Sequence, residues 1–179
     1  MQTRSVERAV WLGLITVVAV VVLVGLWSLR GRMHGHRPPV LGAVPPFSLV
    51  ERSGRPVSRA DLAGSPWIAD FIFTRCSGTC PALSARMGEL RRKLRDQHLQ
   101  ARLVSFSVDP SHDTPEVLRG HGPAHGLDPA NWLLLTTTAD EAEDTTRKLA
   151  KAFGHTFTKA EDGTQTHGIV THVIDKDGR

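Results

Sequence analysis

Trp67-Ile68-Ala69-Asp70-Phe71-Ile72-Phe73-Thr74-Arg75-Cys76-Ser77-Gly78-Thr79-Cys80-Pro81 is the stretch from which the fold of this chain can be read. Residues 67–74 are apolar toward both faces apart from Asp70, the pattern of a central strand covered on both sides. The strand then gives way to a turn that carries Cys76 and Cys80, the chain's two cysteines. Proline is favoured at the first helical position and drives the residue before it out of helical space. Pro81 therefore makes Cys80 the expected N-cap of a helix, with Cys76 on the loop ahead of it. Unpaired backbone N–H groups and the positive helix end favour a thiolate at Cys80, and Arg75 adds charge beside Cys76. Two such thiols suit a disulfide switch or a soft-metal site. The plainer alternative is an inert disulfide or a pair of packing thiols. Asp70 is expected to be a hydrogen-bonded structural group rather than a catalytic acid.

Working outward, the helix predicted over 81–97 carries an apolar stripe of Leu83, Met87, Leu90 and Leu94. Arg91, Arg92, Lys93 and Arg95 fall mostly on its opposite face and read as a solvated surface. Arg102–Val108, Trp132–Thr136 and Ile169–Ile174 read as further strands. Thr114 as N-cap with Pro115 after it opens a short helix. Thr138-Ala139-Asp140-Glu141 is a capping box for another, which carries Leu149 and Phe153 and stops at Gly154. Upstream, Phe47–Val50 and Pro56–Ser58 flank Ser53-Gly54 as a hairpin. Asp175-Lys176-Asp177-Gly178 reads as a turn. Strands alternating with helices predict an α/β sandwich with parallel crossovers.

The chain has 179 residues, room for one domain with a proper core. Two cysteines are too few for a disulfide scaffold. Lys plus Arg number 22 against 18 Asp plus Glu, and the scattered excess matches no nucleic-acid module. From Ala9 to Leu29 there is no charged residue, a stretch long enough to cross a bilayer as a helix. Trp11 and Trp27 lie near its ends, roughly 24 Å apart at helical rise, where interfacial tryptophans belong. Trp27-Ser28-Leu29-Arg30 lacks a small-residue cleavage signature, so an uncleaved anchor is expected rather than a signal peptide. Arg4 and Arg8 precede the stretch and Arg30, Arg32 and Arg37 follow it, a balance that by itself weakly favours a cytoplasmic domain. The expected organisation is a tail over 1–8, an anchor over 9–29, a linker over 30–44 and one domain over 45–179.

Phe73 through Pro81, Ser107-Val108-Asp109-Pro110, Asp113-Thr114-Pro115, Trp132 through Thr136 and His167 through Gly178 stand in an order that resembles the Sco/SenC family of membrane-tethered copper-handling proteins. The resemblance covers roughly residues 44–179. It implies a thioredoxin-like sandwich with an N-terminal hairpin, preceded by one transmembrane helix. It also implies a single pass through the inner membrane, with the domain on the periplasmic side. Copper is the implied ligand, held by Cys76, Cys80 and His167, the last placed by the run His167-Gly168-Ile169-Val170-Thr171-His172-Val173-Ile174-Asp175. The implied role is a copper chaperone for the binuclear copper centre of cytochrome c oxidase. Its partner would be the apo copper-site subunit or another periplasmic copper acceptor. Two thiolates and one imidazole are soft-to-borderline donors, favourable to Cu(I) and able to hold Cu(II). Zinc could fit the same set with a water and ranks below copper. Ser77 stands where the family usually has proline. Family members continue beyond the turn at Asp175–Gly178 through an edge strand and a closing helix, both expected to be missing here.

A rival reading makes Cys76 and Cys80 the catalytic pair of a thiol–disulfide oxidoreductase that reduces target cysteines before metallation. Their spacing is wider than the CxxC of dedicated oxidoreductases. A peroxiredoxin-like peroxidase ranks third. Among the other histidines, His34 and His36 read as part of a polar tether, and His121, His125 and His155 as solvent-facing loop residues. His172, five positions beyond His167 on a strand, should point to the opposite face as a packing residue.

Overall fold

A computed structural model of the chain describes residues 3–33, 39–76, 80–124, 131–137, 144–155, 157–159, 165–167 and 170–179. The chain divides into two units, Met1–Val40 and Leu41–Arg179. The first unit is helix α1 (Thr3–Met33), about 46 Å long at 1.5 Å per residue. Its segment Trp11–Ser28 is apolar and long enough to cross a membrane. The hydroxyls of Thr16 and Ser28 turn back to the carbonyls of Leu12 and Val24, each at 2.8 Å, so neither needs water.

In chain order the second unit contains β1 (Ser48–Glu51), β2 (Pro56–Ser58), β3 (Trp67–Ile72), α2 (Cys80–Asp96), β4 (Arg102–Ser107), α3 (Pro115–Ala124) and β5 (Trp132–Thr136). It continues with α4 (Asp144–Ala152), β6 (Phe157–Lys159), β7 (Gln165–His167) and β8 (His172–Ile174). Six strands form one sheet in the order β2-β1-β5-β4-β3-β8, and β6 pairs with β7 as a separate antiparallel hairpin. Strands β3, β4 and β5 are parallel, as the alternation of strands and helices predicts. The predicted hairpin is present, with β1 antiparallel to β2 and, on its other side, to β5. The N-cap reading of Thr114 holds, since its Oγ1 accepts from the Val117 N–H at 3.4 Å. Gly154 ends the α4 region with φ +79°, a conformation glycine adopts without strain. The capping box predicted over 138–141 lies outside the described residues.

Two features depart from the expectation. The last strand is shorter than predicted and runs antiparallel to β3, with Ala69 opposite His172 and Trp67 opposite Ile174. At His155 the chain is already beside Phe71, near the carboxyl end of β3, and the unpredicted β6–β7 hairpin leaves from there and returns to His172, so β8 starts from that end.

The sheet is covered on both faces. One face packs Trp67, Phe71, Val104, Phe106 and Leu135 with Phe47 and with Leu149 and Ala150 of α4. Phe106 is its hub, with the rings of Phe47 and Phe71 each 5.4 Å away. The other face packs Ile68, Ile72, Leu103, Trp132 and Leu134 against Met87 of α2 and Leu118 of α3, with Leu90 and Leu94 at the margin. The predicted stripe of α2 is thus its buried face, while Arg92, Lys93 and Arg95 are exposed. Asp70 also points into this second face. It is fully buried; its Oδ1 accepts from the Ser105 hydroxyl at 2.5 Å, and that hydroxyl in turn accepts from Trp132 Nε1 at 2.9 Å. Its Oδ2 has no hydrogen-bond partner among the described residues. Burial pushes the Asp70 carboxyl up to about 7.

Candidate metal centre

The parallel pairing of β3 with β4 brings Ile72 opposite Ser107, so the two strands finish side by side. Everything placed at the site follows from that level ending. After β3, the backbone turns so that the Cys76 N–H donates to the Phe73 carbonyl at 3.2 Å. Cys76 is half-buried and packs against the aromatic cluster that contains Phe71 and Phe106. Helix α2 begins at Cys80, one position earlier than the capping argument placed it, a difference within the play of helix boundaries.

The residues leading into Cys76 are clasped by the segment that follows β4. Asp113 is fully buried and accepts from the Thr74 N–H at 3.1 Å, the Thr74 hydroxyl at 2.5 Å and the Ser107 hydroxyl at 2.6 Å. His112 Nδ1 lies 3.1 Å from the same carboxylate. Asp109, also buried, accepts from Arg75 Nε at 3.0 Å and pairs with its terminal nitrogen at 2.5 Å. Asp109, His112 and Asp113 are close enough together to suggest a cation site. Their carboxylates are occupied by Thr74, Arg75, Ser107 and Ser111, so the cluster reads as a clasp on the cysteine turn. The hydrogen bond and charge of Asp109 raise the Arg75 pKa above its ordinary value. The sequence assigned that positive charge to the thiols. In the fold it is paired to a buried carboxylate, which offsets its pull on Cys76.

His167 ends β7, opposite Phe157. The side chains of Cys80 and His167, and residues 77–79 including Ser77, lie outside the described residues, as do His34, His36 and His125. His121 sits in the last turn of α3 and is half-buried rather than solvent-facing in a loop. His172 is half-buried, with its ring 4.9 Å from Phe153 and 6.4 Å from Phe71, so the packing role expected of it holds. Desolvation lowers its pKa. His155 corrects the sequence reading. It is 5% exposed, its ring lies 4.6 Å from Phe71, and its Nε2 is 2.8 Å from Nε2 of His172. The turn at Gly154 folds it inward, and Phe153 and Phe157, two positions to either side, were the sequence signs of an apolar setting.

The SCO1/SenC family pattern matches residues 39–179. The chain belongs to the SCO1/SenC family. This Sco protein is 38% identical over 145 residues to a SCO1 protein homolog of Bacillus subtilis, a match covering 80% of this chain and 74% of that one. Among solved structures it is similar to BsSco, a Sco family cytochrome c oxidase assembly protein described as having a disulfide switch. That match has a TM-score of 0.69 and 32% identity, and covers 79% of this chain and 82% of the other. It is also similar to ScoI of Bradyrhizobium japonicum with copper bound, with a TM-score of 0.65 and 25% identity, covering 77% and 86%. The shared architecture is the thioredoxin-like fold that the resemblance implied.

Proposed function

We propose that this Sco protein is a membrane-tethered copper carrier. It binds one copper ion as cargo through Cys76, Cys80 and His167 and passes it to the apo copper-site subunit of cytochrome c oxidase or to another extracytoplasmic copper acceptor. The observation that carries this reading is the antiparallel register of β8 on β3. With His172 opposite Ala69, the chain upstream of His172 runs toward the carboxyl end of β3, the end at which Cys76 stands. Two thiolates with one imidazole form a soft set suited to Cu(I) and tolerant of Cu(II). The turn at a helix start leaves the site few-coordinate and open to exchange with an acceptor's thiolates. Helix α1 supports the tether, and its internally bonded hydroxyls suit a hydrocarbon setting. The copper-bound ScoI and the oxidase-assembly protein BsSco support the cargo and the recipient.

The test is copper affinity by chelator competition on the full chain in detergent, wild type against His167→Ala. The variant should keep both thiols titratable and bind copper at least about tenfold more weakly, the low end of losses seen even for outer-shell partners. Unchanged affinity would remove His167 from the ligand set.

A second reading, reduction of a target disulfide by the Cys76–Cys80 pair, is favoured by one observation, the disulfide switch described for BsSco. One thiolate attacks the target disulfide and the other resolves the mixed species, leaving this protein oxidised and the target reduced. Dithiol turnover that survives loss of His167 would support it.

A further inference from the structure

The pair His155–His172 stands at a particular place in the chain. His155 precedes β6 by two residues and His172 opens β8, so the two histidines bracket the hairpin that ends at His167. Their Nε2 atoms, 2.8 Å apart, close the segment 155–172 at its neck with one imidazole–imidazole hydrogen bond. Such a bond needs one ring as N–H donor and the other as bare acceptor. The backbone of each histidine is anchored to a different element. The His155 backbone N–H donates to the Ala150 carbonyl near the end of α4, at 3.0 Å. His172 is paired with Ala69 on β3. The rings also rest on Phe71, one strand position from Ile72 and near the start of the turn to Cys76, and Cys76 packs against the cluster that contains Phe71.

We infer that the His155–His172 hydrogen bond is a latch that sets the position of the β6–β7 hairpin, and with it His167, relative to the cysteine turn. This rests on the reading of His167 as a copper ligand. The latch acts through His167 and touches no copper, so both histidines are positioning residues. Short strands of three residues each hold little register of their own. A single bond at the hairpin's neck therefore governs where its far strand is presented.

The experiment has two arms on the full chain in detergent. In the first, amide hydrogen exchange is measured on the copper-free protein. His172→Phe should speed exchange in 157–159 and 165–167 while leaving the β3–β4 amides protected, and His172→Gln, whose amide nitrogen reaches a similar point, should restore protection. In the second, copper affinity and the Cu(II) absorption and EPR spectra are compared for wild type, His172→Phe, His172→Gln and His167→Ala. His172→Phe should weaken copper binding about tenfold, as loss of an outer-shell partner does, and shift the spectra. His172→Gln should recover both, and His172→Phe should add nothing to His167→Ala. Unchanged hairpin exchange in His172→Phe overturns the latch. A loosened hairpin with unaltered copper spectra and affinity, while His167→Ala weakens binding, overturns the positioning role. If His167→Ala itself leaves copper unchanged, the ligand reading has failed and the positioning role fails with it, while the exchange arm separately decides the latch.

Discussion

Replacing Asp70 by asparagine tests how this domain tolerates a carboxyl in its core. The wild-type group is fully buried, with one oxygen bonded to Ser105 and the other without a partner among the described residues, and burial lifts its pKa from 3.8 to about 7. A raised acid pKa means that the folded protein keeps a proton that the unfolded chain releases. Stability should therefore fall as pH rises from about 4 to about 7, with a limiting slope of about 1.4 kcal/mol per pH unit. Across the window, a shift of about three units corresponds to about 4 kcal/mol. Asparagine cannot ionise, so Asp70→Asn removes this slope. It leaves an N–H pair without an acceptor, costing about 1–3 kcal/mol at all pH values. Wild type should be the more stable at pH 4, and the variant should match or pass it by pH 8. Urea unfolding at each pH, followed by the fluorescence of the buried Trp67 and Trp132, measures the difference directly. Other carboxylates cancel between the two proteins. A stability difference that stays constant from pH 4 to pH 8 would refute the assignment of Asp70 as the raised group.

Two further substitutions probe the scaffold around the site. Asp113→Ala strips the acceptor from the Thr74 N–H, the Thr74 hydroxyl and the Ser107 hydroxyl. It should cost at least about 1–3 kcal/mol and raise the rate at which iodoacetamide alkylates Cys76, whereas an unchanged rate would mean that the clasp does not hold the turn. Gly154→Ala meets no atom within 4 Å but must adopt φ +79°, so it should destabilise by about 1–2 kcal/mol through backbone strain alone, read as a shift in urea midpoint.

What the sequence disclosed, and what it hid, divides along the range of the interactions. The apolar run at 67–74 and the proline after Cys80 announced the central strand, the turn and the helix, because each signal lies within a few residues of its effect. The stripe on α2 was legible for the same reason. The β6–β7 hairpin left no trace, since its strands Phe157-Thr158-Lys159 and Gln165-Thr166-His167 are too short and too polar to show a period. β8 looked like one more parallel crossover because nothing local showed that the chain after α4 already meets Phe71, near the end of β3. Arg75 looked like a free cation beside a thiol because its partner is Asp109, on another strand's exit loop. His155 looked solvated because its neighbours in space, Phe71 and His172, are brought to it by the sheet. Asp70 was read correctly as hydrogen-bonded, but nothing local revealed that one of its oxygens lacks a partner among the described residues.

The clasp on Thr74 and Arg75 comes from residues 39 and 34 positions later in the chain. A chain made amino end first therefore displays Cys76 and Cys80 before either carboxylate exists. At about 5–20 residues per second of synthesis, about 2–8 s separate the turn from the carboxylates that hold it. The hold on the cysteine turn is thus a property of the finished domain, and a chain cut short before residue 109 would carry that turn without either restraint.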